Sequence, residues 1–322
     1  MTELGRKLLL LLLLCLIFTT LVWADESDDP DSQSTSASDQ FTEDLPEYPE
    51  AWPSEELPEG IDPLDEYIHS HFALRAVEGY FHGLNFLKRD ANLIPATDTL
   101  LAPFLEKLME LRSGRRKQVT LFQFGGSHIK PGWFAGATEK EFNRWLAESA
   151  EEGFSPTLKF HYKGINGASF RNQLNNQEIF DLCRNLKPDL IVISMGTNDA
   201  QGTYSATRFR TAIDNFMTKL YKYSGDALIL FTLPPDSYKN GVPNADVAKV
   251  GAEIAAYAKA HGHVCWDLQT VMGGQGSMSN WRSGGIAGKD MVHFSAPGYR
   301  LQGQLFFEAL MRAYKHYAEN RP

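Results

Sequence analysis

The sequence predicts an α/β fold in which a parallel sheet is covered by helices on both faces. Five short apolar runs alternate with amphipathic helical patterns after residue 117, and parallel sheets require this alternation. The apolar runs are residues 119–124, 157–162, 190–194, 227–233 and 263–268. The helical patterns are residues 139–150, 178–186, 206–221 and 245–260, and a last helix follows Pro297.

The chain begins with the features of an export signal. Arg6 and Lys7 precede an apolar run over residues 8–18, and Ala24 provides a small residue for cleavage. The run is short against the roughly 20 residues that span a bilayer, although an uncleaved anchor is the alternative. We predict a signal peptide over residues 1–24, a secreted or periplasmic location, and no stable membrane insertion after cleavage.

An acidic segment follows. Residues 25–60 contain thirteen Asp or Glu residues and no Lys or Arg, and such a composition buries too little apolar surface to fold. We therefore predict a disordered linker. This segment accounts for the net charge of −9 and leaves the rest of the chain nearly neutral. The total charge thus says little about the substrate, and we expect no nucleic-acid partner.

Residues 61–116 are predicted to form a mostly helical extension before the main domain, residues 117–322. Thr97 or Asp98 could cap a helix whose apolar stripe ends before Gly114. A helix over residues 64–80 has weaker support. Residues 61–112 either cover the site or extend the core.

Two cysteines, Cys183 and Cys265, remain after the predicted leader is removed. Export would allow them to pair. However, Cys183 lies on a predicted helix and Cys265 on a predicted strand, so two buried free thiols are at least as well supported. Their spacing does not resemble a metal-binding motif.

Polar motifs interrupt the apolar pattern where predicted strands end. Residues 125–128, Gly-Gly-Ser-His, follow the first run, and two glycines would allow a sharp turn that presents Ser127. An ordinary turn or a phosphate-binding loop is the alternative, although the glycine and lysine spacing of a P-loop is missing.

Two further loops could supply hydrogen-bond donors. Asn198 follows the third run in the sequence Gly-Thr-Asn-Asp, and its amide could donate to an oxyanion, although these residue types also form ordinary turns. In the loop after the second run, the N–H of Gly167 could be another donor, and we prefer it to Gly164.

The last motif, Asp-Met-Val-His at residues 290–293, precedes the final helix. Asp290 could accept a hydrogen bond from one ring nitrogen of His293, which would leave the other nitrogen for Ser127. A metal-ligand pair or a surface loop is the alternative, but no further His or carboxylate cluster completes a metal site nearby. A hydroxyl, an imidazole, a carboxylate and an amide are together the groups that acyl transfer needs.

With these motifs in this order, residues 117–320 resemble the SGNH, or GDSL-like, hydrolase family. The resemblance implies a three-layer α/β/α fold with a five-stranded parallel sheet in flavodoxin-like order, and no metal or organic cofactor. It also implies a nucleophile at Ser127, a base at His293 and an orienting carboxylate at Asp290. The oxyanion donors it implies are Ser127, Gly167 and Asn198. One residue departs from the family pattern, because Gly126 stands where Asp is usual.

Three blocks together resemble the branch that contains cell-envelope polysaccharide and peptidoglycan O-acetylesterases: residues 125–128, residues 196–200, and residues 273–278 followed by Trp281. This resemblance implies a secreted serine esterase that removes O-acyl groups, above all acetyl, from a carbohydrate. Trp133 and Trp281 are candidate sugar contacts, with core packing as the alternative. The other histidines, including His128, receive no role. An O-acyltransferase and a catalytically silent glycan-binding module are the alternative functions. The sequence does not indicate an oligomeric state.

Overall fold

The computed structural model describes residues 84–95, 99–148 and 155–320. The predicted signal peptide, the acidic linker and the helix expected over residues 64–80 lie outside the described residues. So do Thr97 and Asp98, the predicted helix caps.

A five-stranded parallel sheet forms the centre of the protein, in the order β2-β1-β3-β4-β7. A separate antiparallel hairpin consists of β5 and β6. The strands are β1 Gln118–Gly125, β2 Thr157–Gly164, β3 Leu190–Ser194, β4 Leu228–Thr232, β5 Tyr238–Lys239, β6 Val242–Pro243 and β7 Val264–Trp266. The sheet order and the parallel pairing confirm the predicted α/β fold with flavodoxin-like order.

The α-helices connect the strands and complete the layers. They are α1 Ala102–Arg112, α2 Trp133–Glu148, α3 Phe170–Gln173, α4 Gln177–Leu186, α5 Thr197–Gln201, α6 Ala206–Leu220, α7 Ala245–Ala260, α8 Leu268–Val271, α9 Met278–Ser283 and α10 Ala296–Asn320. Helix α10 carries Pro297 in its first turn, where proline costs no hydrogen bond.

Two apolar cores lie on opposite faces of the sheet, because side chains along a strand alternate between faces. Leu121 and Val192 point into a core shared with α1, α2 and α10. Phe122 and Ile193 point into a second core shared with α4, α6 and α7. Because both faces of the central strands are buried, these strands consist of continuous apolar runs. Such runs are visible in the sequence, and the strands could be located from them.

Two helices begin at positions that differ from the prediction. Helix α2 begins at Trp133 rather than at residue 139, since Gly132 and Gly136 weaken the helical pattern at its start. Helix α1 begins at Ala102 rather than near residue 98, and Pro103 stands in its first turn. It ends at Arg112, and Gly114 follows with a positive φ of 77°, as the sequence predicts.

The segment before the main domain belongs to the first core as far as it is described. Asn92 is fully buried and donates to the carbonyl of Leu305 and to Glu308 on α10, at 2.8 and 2.9 Å. Its side-chain oxygen accepts from Trp266 Nε1 at 2.8 Å. Residues 84–95 and α1 thus extend the core of the main domain.

Cys183 and Cys265 are both free thiols. Burial raises the pKa of each to about 12, so neither is a reactive thiolate at neutral pH. No helix within the described residues combines the length and the apolar character needed to cross a membrane.

Candidate active site

The first three strands of the chain end together at one edge of the sheet. Gly125, the last residue of β1, pairs with Gly164 at the end of β2 and with Ser194 at the end of β3. The loops that follow these strands therefore leave the sheet side by side. This register places three of the predicted polar motifs in one region.

The loop that carries Ser127 is fitted closely against its neighbours. A Cβ at Gly125 would lie 2.2 Å from the carbonyl oxygen of Ser194, so only glycine fits there. A Cβ at Gly126 would lie 3.2 Å from Asn198 Nδ2 and 3.9 Å from the carbonyl oxygen of Ala168. The loops after β1, β2 and β3 thus converge around Gly126, directly before Ser127.

Ser127, His293 and Asp290 form one continuous chain of hydrogen bonds. Ser127 Oγ lies 2.7 Å from His293 Nε2, and His293 Nδ1 lies 2.6 Å from Asp290 Oδ2. Donation from Nδ1 to the carboxylate leaves Nε2 as the acceptor for the serine hydroxyl. Ser127 precedes Asp290 by 163 positions in the sequence, and the fold brings it to the loop that carries Asp290 and His293.

The second oxygen of Asp290 holds the loop to which it belongs. Asp290 Oδ1 accepts from the N–H groups of Val292 and His293 at 3.0 and 2.9 Å, and Met291 turns the backbone with a φ of +59°. Burial alone would raise the pKa of Asp290. Hydrogen bonds from the His293 ring and from the two N–H groups outweigh burial and lower the pKa to about 2. Asp290 is therefore ionised at neutral pH.

The predicted oxyanion donors lie beside this chain. Gly196 turns the backbone from β3 into α5 with a φ of +118°, which brings Asn198 to the first turn of α5. Asn198 Nδ2 donates to the carbonyl of Ala168 at 3.0 Å and so holds the loop that contains Gly167. Gly164, the less favoured donor, packs against the backbone of Lys130.

Asp199, the next residue on α5, also contacts this loop. It accepts hydrogen bonds from the backbone N–H groups of Phe170 and of Asp199 itself, while its Oδ2 is buried and has no hydrogen-bond partner among the described residues. Burial is the main reason why the pKa of Asp199 rises to about 7. The pKa of Asp199 is therefore raised and that of Asp290 lowered, although both residues border the site.

His128 is a site residue to which the sequence assigned no role. Its buried ring stacks on His293, with the ring centroids 5.1 Å apart and the planes inclined by 26°. Its Nδ1 is hydrogen-bonded with the Tyr299 hydroxyl at 3.2 Å. Burial, followed by repulsion from His293, lowers the pKa of His128 to about 3, so the ring stays neutral. Its position directly after Ser127 was the only signal in the sequence.

The two candidate tryptophans occupy different environments. Trp133 is half-buried at the start of α2, and its ring lies 5.9 Å from that of Tyr299. Trp281 is completely buried, donates from Nε1 to the carbonyl of Met272 at 2.9 Å, and packs on Phe294. Trp281 has no exposed surface for a sugar and belongs to the core, which corrects the expectation for this residue.

The hairpin β5–β6, which the sequence did not predict, links the two halves of the site. Gln201 at the end of α5 donates to the hydroxyl of Ser237 and to the carbonyl of Tyr238, at 3.1 and 3.0 Å. The N–H of Tyr238 donates to the carbonyl of Met291 at 2.9 Å. Helix α5, which carries Asn198, and the Asp290–His293 loop are thus held by one short segment. Strands of two residues are too short to produce a sequence pattern.

Comparison with known families identifies the domain. The model of the GDSL-like lipase/acylhydrolase family matches residues 105–301. The chain belongs to this family. It is accordingly a carboxylic ester hydrolase by family. Among curated protein sequences, none matches the chain.

Solved structures share the fold of this GDSL-like hydrolase. A peptidoglycan O-acetylesterase has a TM-score of 0.61 at 17% identity, over 69% of this chain and 99% of its own. A two-domain esterase active on acetylated mannans has a TM-score of 0.51 at 18% identity, over 73% of this chain and 59% of its own. At these identities, the likeness supports the α/β/α fold. Within the described residues, no cluster of His, Cys, Asp or Glu could hold a metal ion.

Proposed function

We propose that this protein is an exported serine esterase that removes O-acyl groups, above all acetyl, from a carbohydrate. The observation that carries the proposal is the unbroken hydrogen-bond chain from Ser127 Oγ through His293 to Asp290. The acetylesterases among the structural neighbours support the acetyl group and the carbohydrate. The predicted signal peptide supports export.

In the proposed mechanism, Ser127 Oγ attacks the ester carbonyl while its proton moves to His293 Nε2. Asp290 stabilises the imidazolium that forms. The N–H groups of Ser127 and Gly167 and the amide of Asn198 hold the oxyanion, and one such donor is typically worth about 10²–10³ in rate. When the tetrahedral intermediate collapses, His293 gives its proton to the departing sugar oxygen, and an acyl-enzyme remains.

Deacylation repeats these steps with water as the nucleophile. His293 takes a proton from water, the hydroxide attacks the acyl carbon, and Ser127 leaves with the proton from His293. The carboxylic acid is released and the enzyme returns to its starting state. His128 remains neutral throughout, so it adds no positive charge next to the imidazolium. Trp133 stays a proposed sugar contact at the edge of this site.

The test is hydrolysis of 4-nitrophenyl acetate and of a panel of acetylated oligosaccharides by the protein and by Ser127→Ala. We expect the substitution to lower kcat by about 10⁴-fold or more, since the triad acts as a unit. Ser155→Ala is a matched control, because Ser155 is exposed two residues before β2, at the end of the sheet opposite the site. Equal rates for Ser127→Ala and the unaltered protein would remove Ser127 from the mechanism.

A further inference from the structure

A cleft of about 540 Å³ opens beside the Asp290–His293 loop. Asn240 and Gly241 of the hairpin form one wall, and Ser279 and Arg282 of α9 form another. Lys289 and Asp290 complete the lining on the side of the proposed triad. The cleft is therefore continuous with the loop that carries the catalytic groups, and none of the steps described above uses it.

Two positive charges in this cleft lack a negative partner. Arg282 and Lys289 are exposed, and neither forms an ion pair within the part of the chain that the structure describes. Arg282 Nη1 donates to the carbonyl of Lys289 at 3.2 Å, which brings the guanidinium to the Lys289 segment. Within the described residues, the other N–H groups of Arg282 make no hydrogen bond and can serve a ligand.

Among the described residues, Asp290 is the one acidic residue that lines the cleft, and because it is ionised the two cations leave the lining with a net charge of +1. Its Oδ2 is engaged by His293 Nδ1, and its Oδ1 accepts from two backbone N–H groups. Both oxygens are thus occupied within their own loop. The two cations face the open cleft, where they attract an anion.

The cleft is also close to the nucleophile. Asp290 lines the cleft, and the His293 ring alone separates Asp290 from Ser127, through contacts of 2.6 and 2.7 Å. An oligosaccharide whose acyl group lies at Ser127 could therefore place a neighbouring sugar in the cleft. Polar walls made of Asn240 and Ser279 suit sugar hydroxyls, which both donate and accept hydrogen bonds.

We infer that the cleft binds a carboxylate-bearing sugar, so that the esterase acts on an acidic polysaccharide. This inference rests on the proposed function. The planar guanidinium of Arg282 matches a carboxylate in geometry, and Lys289 adds a second charge-assisted donor. A neutral glycan could accept hydrogen bonds from these groups but would gain nothing from their charge. The cleft therefore selects which acylated polysaccharide the enzyme accepts.

The test is equilibrium binding of two probes to the full-length protein: a galacturonic acid trisaccharide and the uncharged galactose trisaccharide. We expect the acidic probe to bind more tightly, and its affinity to fall with added salt because the contact is ionic. Arg282→Gln and Lys289→Gln should each weaken binding of the acidic probe by about three- to tenfold, and affect the neutral probe less.

A matched control is Lys222→Gln. Lys222 is exposed between α6 and β4, at the edge of the sheet opposite the site, so its loss removes one charge and leaves the preference for the acidic probe intact. Lys289→Gln also guards against a folding effect, because the side chain of Lys289 makes no hydrogen bond within the described residues. Equal affinity for the two probes, or an unchanged preference in both cleft variants, would overturn the inference.

Binding and catalysis can be separated, since the trisaccharides carry no ester. Preferential binding of the acidic probe by Ser127→Ala is expected if the cleft works independently of the nucleophile. If the unaltered protein preferred the acidic probe but hydrolysed no ester, the result would count against the proposed esterase and not against the cleft. If the protein hydrolysed acetylated sugars but did not prefer acidic ones, the inference about the cleft would be refuted and the proposed esterase would stand.

Discussion

Two loops build the proposed catalytic centre, and they are held in place by different forces. The Ser127 loop leaves the sheet between close neighbours, and a Cβ at Gly125 would collide with the backbone of Ser194. The Asp290–His293 loop is more exposed, with about a third of the Asp290 and His293 side chains accessible. It is held by hydrogen bonds from its own backbone to Asp290.

Within one site, the position of one loop is thus set by the shape of its surroundings and that of the other by a charged side chain. The position of the Ser127 hydroxyl depends on close packing, so added atoms should disturb it and changes in pH should not. The position and tautomer of His293 depend on a carboxylate, so a change of hydrogen-bonding capacity should matter even when the volume is kept. Substitutions that alter only one of these properties can test the comparison.

The largest effect is expected for Asp290→Asn, which keeps the volume and changes the hydrogen bonding. Oδ1 of Asp290 accepts from two backbone N–H groups, so the asparagine oxygen would take this place and its NH₂ would face His293 Nδ1. The ring proton would then move to Nε2, which could no longer accept from Ser127. We expect kcat for 4-nitrophenyl acetate to fall by about 10³–10⁴-fold.

Asp267→Asn is the matched control for this prediction. Asp267 caps α8 by accepting from the N–H of Thr270 at 3.0 Å, and asparagine is an equally good cap. We expect this variant to keep its activity and both variants to unfold at denaturant concentrations close to that of the unaltered protein. If Asp290→Asn retained full activity, the carboxylate would not control the tautomer of His293.

The next largest effect is expected for Gly125→Ala, which changes shape without changing charge. The new methyl group would lie 2.2 Å from the Ser194 carbonyl oxygen and 2.8 Å from Ile129 Cγ1, so β1 and β3 must move apart. We expect the free energy of unfolding to fall by about 1–3 kcal/mol, measured by denaturant titration. Activity should fall as well, because Ser127 is two residues away.

Gly136→Ala makes the same chemical change where space is available. Gly136 lies in α2, and a Cβ added there would meet no other group within 4 Å. Replacing an exposed helical glycine by alanine typically stabilises a protein by about 0.5–1 kcal/mol. A loss of stability at Gly136 as large as that at Gly125 would show that close packing is not the cause.

The comparison also shows what the sequence can predict. Residues 190–194 are a continuous apolar run that coincides with β3, because this strand is buried on both faces. The motifs that contain Ser127 and Asn198 were found for the same reason, since both follow buried strands, whereas the motif of His293 was found directly before the last helix. Local patterns therefore predicted the sheet and the residues that meet at its edge.

Features that depend on distant contacts were not predicted. His128 lies against His293 and Tyr299, which are 165 and 171 positions away, and a single sequence gives no sign of this contact. Trp281 is buried by Phe294 and by Phe86 of the segment before the main domain. A tryptophan in a polar stretch gives no indication that a remote segment covers it.

A further difference within the site concerns Asp199, which is buried with one carboxylate oxygen unpartnered among the described residues, whereas both oxygens of Asp290 accept hydrogen bonds. Burial raises the pKa of Asp199 to about 7, so between pH 4 and 7 the folded protein keeps a proton that the unfolded chain has lost. The stability contributed by this proton is complete below pH 4 and declines as the pH rises to about 7, by at most about 1.4 kcal/mol per pH unit. Asp290, with its lowered pKa, acts in the opposite direction and only below pH 4.

Asp199→Asn should remove this decline, because the amide does not titrate. We expect the variant to gain stability relative to the unaltered protein as the pH rises from 5 to 7, measured by urea titration at both values. Asp226→Asn, at an exposed position before β4, controls for the loss of one negative charge. A stability difference between Asp199→Asn and the unaltered protein that is equal at pH 5 and pH 7 would mean that Asp199 is ionised in the folded protein. The N–H groups of Phe170 and of Asp199 itself would then hold the charge of Asp199 against burial, as three donors hold that of Asp290.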